Sequence, residues 1–121
     1  MDKKASILVV EDETETAKSL VDHLKMENHD VSLAVDGEEA LSLLNRNTYD
    51  IVILDLKLPK VGGFVILKHI KSNTPNTKVI VLTAYSDLKN TEICKKLGAD
   101  HILGKPFDFE MLFWTIKMFQ S

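Results

Sequence analysis

The stretch IVILDLKLP, residues 51–59, decides the fold. Four apolar residues, three of them β-branched, lead directly into Asp55. A short apolar run of this kind is typical of a strand buried on both faces, as in a parallel sheet. Pro59 has no amide proton for a ladder hydrogen bond, so the strand is predicted to end before it. Asp55 is therefore expected at the carboxyl end of a central strand, where open α/β sheets bind their ligands.

Short apolar runs alternate with amphipathic segments along the rest of the chain. The runs predict strands over 7–10, 31–35, 51–55, 79–82 and 101–103. The amphipathic segments predict helices over 14–26, 38–45 and 64–71, a fourth helix capped by Asp87 and running to 97, and a fifth capped by Asp108 and running to 119. Five β-α units imply a parallel sheet with helices on both faces. We expect an α/β fold with a doubly wound, five-stranded parallel sheet in the flavodoxin-like (βα)5 order 2-1-3-4-5.

Length and composition limit the remaining choices. A chain of 121 residues predicts one domain, residues 1–121, and the net charge of −3 without a Lys/Arg block argues against direct nucleic-acid binding. No apolar run approaches the roughly 20 residues of a membrane span. The single cysteine, Cys94, excludes an internal disulfide and agrees with a reducing compartment. We expect a cytoplasmic protein that binds neither membrane nor nucleic acid.

Polar side chains stand where the first, third, fourth and fifth predicted strands end. They are Glu11 and Asp12, then Asp55, then Thr83, then Lys105. Parallel strands end at one edge of the sheet, so these groups are expected to converge. Clustered carboxylates repel each other unless a cation lies between them, and an all-oxygen ligand set favours Mg²⁺, with Mn²⁺ or Ca²⁺ possible. Because an Asp carboxylate can attack a phosphoryl group, the pocket suits an aspartyl phosphate.

Several short motifs carry a family resemblance that extends over the whole chain. They are Glu11-Asp12, Asp55 with Pro59 four residues later, Thr83-Ala84, Gly98-Ala99-Asp100 and Lys105-Pro106-Phe107. Together they resemble the receiver domain of bacterial response regulators in two-component (phosphorelay) signalling. The resemblance implies that Asp55 accepts a phosphoryl group from a sensor histidine kinase or phosphotransfer protein. The resemblance implies that the protein is a phosphoprotein switch and is not an enzyme that turns over an external substrate.

The resemblance also implies roles for the neighbours of Asp55. Asp12, Asp55 and the backbone carbonyl of Lys57 would bind Mg²⁺ directly, and Glu11 would bind it through a water molecule.

Two further residues would act on the phosphoryl group. Thr83 would close on it, Lys105 would pair with it, and the small Ala84 would leave room for its approach.

The sequence departs from the family pattern at one switch position. The resemblance implies Tyr or Phe three residues before the lysine, but this chain has Ile102. We expect movement of the loop 83–88 and of the helix after it to relay the signal instead. Lys57 and Tyr85 flank the path expected for attacking water, and shielding by them would lengthen the life of the phosphoryl state. Alternatively, both side chains point into solvent.

The last helix has two apolar faces. Helical spacing places five residues on the core face: Phe109, Leu112, Phe113, Ile116 and Phe119. Met111, Trp114 and Met118 fall on nearly the opposite face, a pattern typical of an interaction surface. The resemblance implies that the face formed by the fourth helix, fifth strand and fifth helix docks a partner or a second copy. Packing against the fourth helix, or ordinary exposed apolar area, would also explain the stripe.

Other readings of the acidic pocket stay open. A Mg²⁺-dependent phosphatase or phosphotransferase would carry a second Asp two residues after the nucleophile, where this chain has Lys57. A flavodoxin-like cofactor binder would need a phosphate loop after the first strand, where this chain has Glu-Asp-Glu. A structural ion-pair cluster is the third alternative. The four scattered histidines are predicted to be surface or half-buried residues, and Cys94 a buried, inert thiol.

Overall fold

A computed structural model describes residues 3–58, 61–84 and 89–121. Five strands and five α-helices alternate along these residues. The strands are β1 (Ser6–Val10), β2 (Asp30–Ala34), β3 (Ile51–Asp55), β4 (Lys78–Ala84) and β5 (His101–Lys105). The helices are α1 (Thr14–Met26), α2 (Gly37–Arg46), α3 (Gly63–Asn73), α4 (Asn90–Lys96) and α5 (Phe109–Gln120). The bounds of α1 and β3 agree with the prediction at both ends.

The five strands form one parallel sheet in the order β2-β1-β3-β4-β5. The predicted fold class and strand order are therefore confirmed. β3 lies at the centre, and every one of its residues is buried. This burial on both faces explains why its sequence is a continuous apolar run without alternation.

Successive residues of the strands pack alternately into two separate hydrophobic cores. On one side Leu8, Val10, Val52 and Leu54 pack with α2, α3 and α4. On the other side lie the alternate residues of the same strands, among them Ile7, Val9, Ile51 and Ile53, which pack with α1 and α5. Because the side-chain period of a strand is two, the sheet can serve both layers.

Side chains and glycine set several helix ends. Asp36 accepts a hydrogen bond from the Glu39 amide at 2.8 Å at the start of α2. The predicted cap of α5 is confirmed, since the Asp108 side chain accepts from the Glu110 amide at 2.9 Å. After α4 the chain reverses at Gly98, whose φ of +99° favours glycine.

Two strands extend further at their carboxyl ends than predicted. The sequence predicts that β4 ends at Leu82, just before Thr83, and that β5 ends at Leu103. In the structure β4 continues to Ala84 and β5 to Lys105. Pairing of Thr83 with Gly104, and of Ala84 with Lys105, explains the extension, because ladder hydrogen bonds tolerate polar side chains. The differences elsewhere are one or two residues at the ends of β1, β2, α2, α3, α4 and α5.

Some predictions concern residues outside the described ranges. They are the strand-ending role of Pro59, the cap at Asp87 and the position of Tyr85 in the loop 83–88. Among the described residues, no helix has both the length and the apolar character needed to cross a bilayer. Cys94 is fully buried, as predicted.

Candidate functional site

The sheet edge brings three carboxylates together. Glu11 and Asp12 follow β1, and Asp55 is the last residue of neighbouring β3. One oxygen from each of these side chains lies within 4.8 Å of the other two. Glu11 and Asp55 are buried, whereas Asp12 is exposed. The cluster therefore has one open side, facing solvent at Asp12.

Lys105 reaches these carboxylates from the end of β5. Its ammonium Nζ donates to Oε1 of Glu11 at 2.8 Å and to Oδ2 of Asp55 at 3.0 Å. β4 lies between β3 and β5, so the lysine side chain crosses over β4 to make these contacts. An ammonium group so placed offsets part of the repulsion among the acids.

Both oxygens of Asp55 already accept hydrogen bonds. Oδ2 accepts from Lys105, and Oδ1 accepts from the backbone amide of Lys57 at 3.0 Å. The Leu56 amide donates to the carbonyl of Leu82 on β4 at 3.3 Å. The carboxylate is thus held from two sides, and the chain just after it is tied to the sheet.

Burial and the nearby Asp55 change the ionisation of Glu11. Burial and the hydrogen bond with Asp55 raise the pKa of Glu11 from 4.5 to about 7, although Lys105 acts in the opposite direction. For Lys105, burial lowers the pKa, but the bonds to Glu11 and Asp55 outweigh it and the net shift is upward. The lysine stays charged, while one of its carboxylate partners readily takes a proton near neutral pH.

The donor set fits a hard divalent cation. Carboxylate oxygens on Glu11, Asp12 and Asp55 are the ligand type that Mg²⁺, Mn²⁺ and Ca²⁺ prefer. Burial, and to a lesser extent the nearby Asp55, raise the pKa of Glu11, and a bound cation would favour its ionised form.

The structure also places the other residues singled out from the sequence. Thr83 is buried on β4, beside the β5 residue Gly104, and Ala84 is half-buried next to Lys105. Ile102 is half-buried and packs against the core on the α2, α3 and α4 side. Thr83 and Ala84 therefore lie along the same edge as the acids, whereas Ile102 lies three residues before its end.

The apolar stripe on α5 faces solvent. Trp114 is 61% exposed, Met111 52% and Met118 43%. On the core face Leu112 and Ile116 are buried, as predicted. Each side chain of the stripe is also partly covered, so partial packing against α4 and ordinary exposed apolar area remain alternatives to an interaction surface.

Two features of the site surroundings were not predicted. Gly37 and Gly63 were interpreted only as a turn and a helix-entry residue, yet both touch backbone so closely that a Cβ atom would not fit. Lys71 on α3 forms a 2.6 Å ion pair with Asp100 before β5. Sequence spacing holds no signal for contacts between such distant residues. The four histidines are half-buried, and His23 stacks on Phe109.

Comparisons with known proteins agree with this geometry. Residues 7–117 match the family model described as "Response regulator receiver domain". The chain is 40% identical over 111 residues to the response regulator ArlR of Staphylococcus saprophyticus, covering 92% of this chain and 50% of that protein. It therefore spans about half the length of such curated relatives.

Solved structures give the same answer. A Francisella response regulator 1452 receiver domain is 31% identical, with a TM-score of 0.88 and 96% of each chain covered. The response regulator TrrA of Thermotoga maritima, described in complex with Mg²⁺-BeF, is 33% identical, with a TM-score of 0.85 over 97% of this chain and 99% of that one. Motifs, fold and matches together show that this chain belongs to the family of response regulator receiver domains.

Proposed function

We propose that this chain is a phosphoaccepting switch in which Asp55 takes a phosphoryl group from a sensor histidine kinase or a phosphotransfer protein. The observation that carries the proposal is the placement of the Asp55 carboxylate at a solvent-facing edge, bonded to Lys105 and clustered with two further acids. A carboxylate oxygen would attack phosphorus, and the bond between phosphorus and the donor nitrogen would break. The product is an aspartyl phosphate.

The cation expected at this site is Mg²⁺, with Mn²⁺ or Ca²⁺ as substitutes. Asp12, Asp55 and the backbone carbonyl of Lys57 would bind it directly, with Glu11 acting through a water molecule. The full burial of Glu11 and its bond to Lys105 favour such an indirect role. Bound there, the cation would neutralise charge on the phosphoryl oxygens. The Thermotoga maritima relative described in complex with Mg²⁺-BeF supports this assignment.

Lys105 and Thr83 would serve the phosphorylated state. The ammonium group, now on Asp55 Oδ2, is close enough to transfer its hydrogen bond to a phosphoryl oxygen. Thr83 has a hydroxyl donor on the neighbouring strand, and Ala84 leaves space beside it. Lys57 and Tyr85 would shield the phosphate from water and lengthen its life.

A groove next to Lys105 supports access by a protein donor. It has a volume of about 530 Å³ and lies between the start of α1 and the chain after β5. Glu13, Thr16, Lys105 and Phe107 are among its lining residues. A histidine presented by a kinase or phosphotransfer protein could approach Asp55 along this side.

Output would pass through the face formed by α4, β5 and α5. With Ile102 in place of an aromatic residue, movement of the loop 83–88 and of α4 would carry the signal. The exposed Met111, Trp114 and Met118 would then dock a downstream partner or a second copy. The domain would assist its own phosphorylation and dephosphorylation, turning over no external substrate, in the cytoplasm of a bacterium. We assign no nucleic-acid or membrane contact to these residues.

A phosphorylation assay tests the proposal. Wild type incubated with acetyl phosphate and Mg²⁺ should gain the mass of one phosphoryl group, and Asp55→Ala should not. Asp22→Ala, which removes an exposed carboxylate from α1, is the matched control and should be modified like wild type. An unmodified wild type, or modification that persists in Asp55→Ala, would contradict the assignment. Omission of Mg²⁺ tests the cation requirement separately.

A further inference from the structure

Gly37 opens α2 and lies against Val61, in the connection that follows Asp55. We propose that Gly37 is a positioning residue for the cation site, because its missing side chain lets α2 seat against Val61 and so fixes the backbone around Leu56 and Lys57. The inference rests on the metal role proposed above and adds a residue to it.

The contact between Gly37 and Val61 has room only for glycine. A Cβ atom built on Gly37 would lie 2.2 Å from the backbone oxygen of Val61, 2.5 Å from its Cβ and 2.9 Å from its carbonyl carbon. Real Cβ atoms essentially never come closer than 3.0 Å to such neighbours. The nearest atom belongs to the backbone, so no change of rotamer could relieve the overlap.

Core packing and hydrogen bonds hold the start of α2 in place at this contact. Its residue Ala40 is fully buried in the core, one turn after Gly37. The Ala40 amide donates to the Asp36 carbonyl at 3.0 Å, and the Asp36 side chain accepts from the Glu39 amide at 2.8 Å. A side chain added at Gly37 would therefore displace Val61 and its neighbours.

A second glycine, Gly63, connects Val61 to the end of β3 through close backbone contacts. The Gly63 amide donates to the Leu56 carbonyl at 3.3 Å. A Cβ on Gly63 would lie 2.6 Å from Leu56 Cα and 3.0 Å from the carbonyl oxygen of Asp55. Residues 61–63 therefore contact α2 on one side and the end of β3 on the other. A shift at Val61 would press on the backbone that leads into Lys57.

The Lys57 backbone is the part of the site that a shift of Val61 would move. Its amide already holds Asp55 Oδ1 at 3.0 Å, and its carbonyl is the ligand assigned to the cation. Groups that orient metal ligands without touching the metal typically change affinity by about 10- to 100-fold when altered. We expect Gly37→Ala to weaken divalent-cation binding about tenfold, since the carboxylates themselves are retained.

Gly62 supplies a matched control one residue after Val61. Apart from its two chain neighbours, no residue has an atom within 4 Å of a Cβ built on Gly62, so Gly62→Ala adds the same methyl group to open space. Ile116→Val controls for general loss of stability. It trims a buried residue in the core on the α1 and α5 side, away from this contact.

The experiment measures Mn²⁺ binding to the unphosphorylated protein, from the electron paramagnetic resonance signal of the free ion, beside the Tm of each variant. Gly37→Ala should bind about tenfold more weakly, while Gly62→Ala and Ile116→Val keep wild-type affinity. Wild-type affinity in Gly37→Ala, or equal weakening in either control, would overturn the inference.

Two further results complete the design. If Gly37→Ala does not fold, Val61→Ala loosens the same contact without a clash and should also weaken Mn²⁺ binding; unchanged affinity there would overturn the inference. If the wild type binds no Mn²⁺, the proposed metal role itself is wrong. If wild type and Gly37→Ala bind Mn²⁺ equally tightly, the metal role stands and only the role of Gly37 is wrong.

Discussion

Replacement of Lys105 by Met tests the charge arrangement of the site most directly. The change removes the ammonium group that donates to Glu11 at 2.8 Å and to Asp55 at 3.0 Å, and keeps a long apolar stem. Both acceptors are buried, with exposures of 0% and 6%. Without metal, the two carboxylates would lose their shared cation and gain no water in exchange.

The size of the effect follows from these contacts. A hydrogen bond to a charged group contributes about 1.5–3 kcal/mol, so two such bonds give a gross loss of about 3–6 kcal/mol. The Lys105 side chain is 28% exposed, so solvent already screens part of the interaction. Glu11, whose pKa is about 7, can also take a proton instead of staying charged. We therefore expect a net loss of about 2–3 kcal/mol in the free energy of unfolding at pH 7.

Urea unfolding in the presence of a chelator, at pH 7 and at pH 5, measures this loss. Lys78→Met is the matched control, because Lys78 lies 3.9 Å from Asp100 and its side chain is 45% exposed, so it should cost no more than about 1 kcal/mol. At pH 5 Glu11 is protonated, so the deficit of Lys105→Met should narrow. Equal stability of the two variants at pH 7 would refute the reasoning.

Three further outcomes follow from the structure. In metal-free protein the pKa of Glu11 is raised from 4.5 to about 7, so the folded state holds this proton more tightly than the unfolded chain. The free energy of unfolding should then fall by up to about 3 kcal/mol between pH 4.5 and 7 and level off above, and denaturation curves of Glu11→Gln should lack this slope. Trp114→Ala should reduce self-association or partner binding, measured by analytical ultracentrifugation with the phosphoryl mimic, whereas truncation of the exposed Met26 on α1 should not; an unchanged Trp114→Ala variant would contradict a docking role. The thiol of Cys94 is fully buried and burial raises its pKa, so it should react with a thiol reagent only on unfolding, and rapid labelling of the native protein would contradict this.

The fold was predictable because each local pattern has a single physical reading. Residues 51–54 are apolar on both faces, as a central strand requires, and the structure gives the strand the bounds Ile51–Asp55. Ala17, Leu20 and Leu24 repeat at helical spacing, and all three are buried. The order of the strands followed from the count of β-α units.

Strand ends were less predictable because their limits depend on the neighbour. Thr83 and Lys105 are polar, so the sequence indicated the end of a strand, but ladder pairing with the adjacent strand extends through both. The close contacts of Gly37 and Gly63 depend on where α2 and α3 settle, which no local pattern records. Long-range packing decides such features, and the sequence shows only that glycine is present.

The charges of the clustered acids and of Lys105 do not balance. If all ionise, Glu11, Asp12 and Asp55 carry three negative charges against one positive charge on Lys105, which leaves a net charge of −2. An incoming phosphoryl dianion would meet that charge at close range, and a divalent cation would cancel it. Without the cation, burial and the nearby Asp55 raise the pKa of Glu11 to about 7, so a proton can neutralise this acid near pH 7. In the proposed metal site a proton and the cation would compete for these acids, so cation binding near pH 7 should release a proton and strengthen as pH rises. If Asp55 is phosphorylated and the cation binds as proposed, the clustered carboxylates would couple phosphorylation, metal binding and pH.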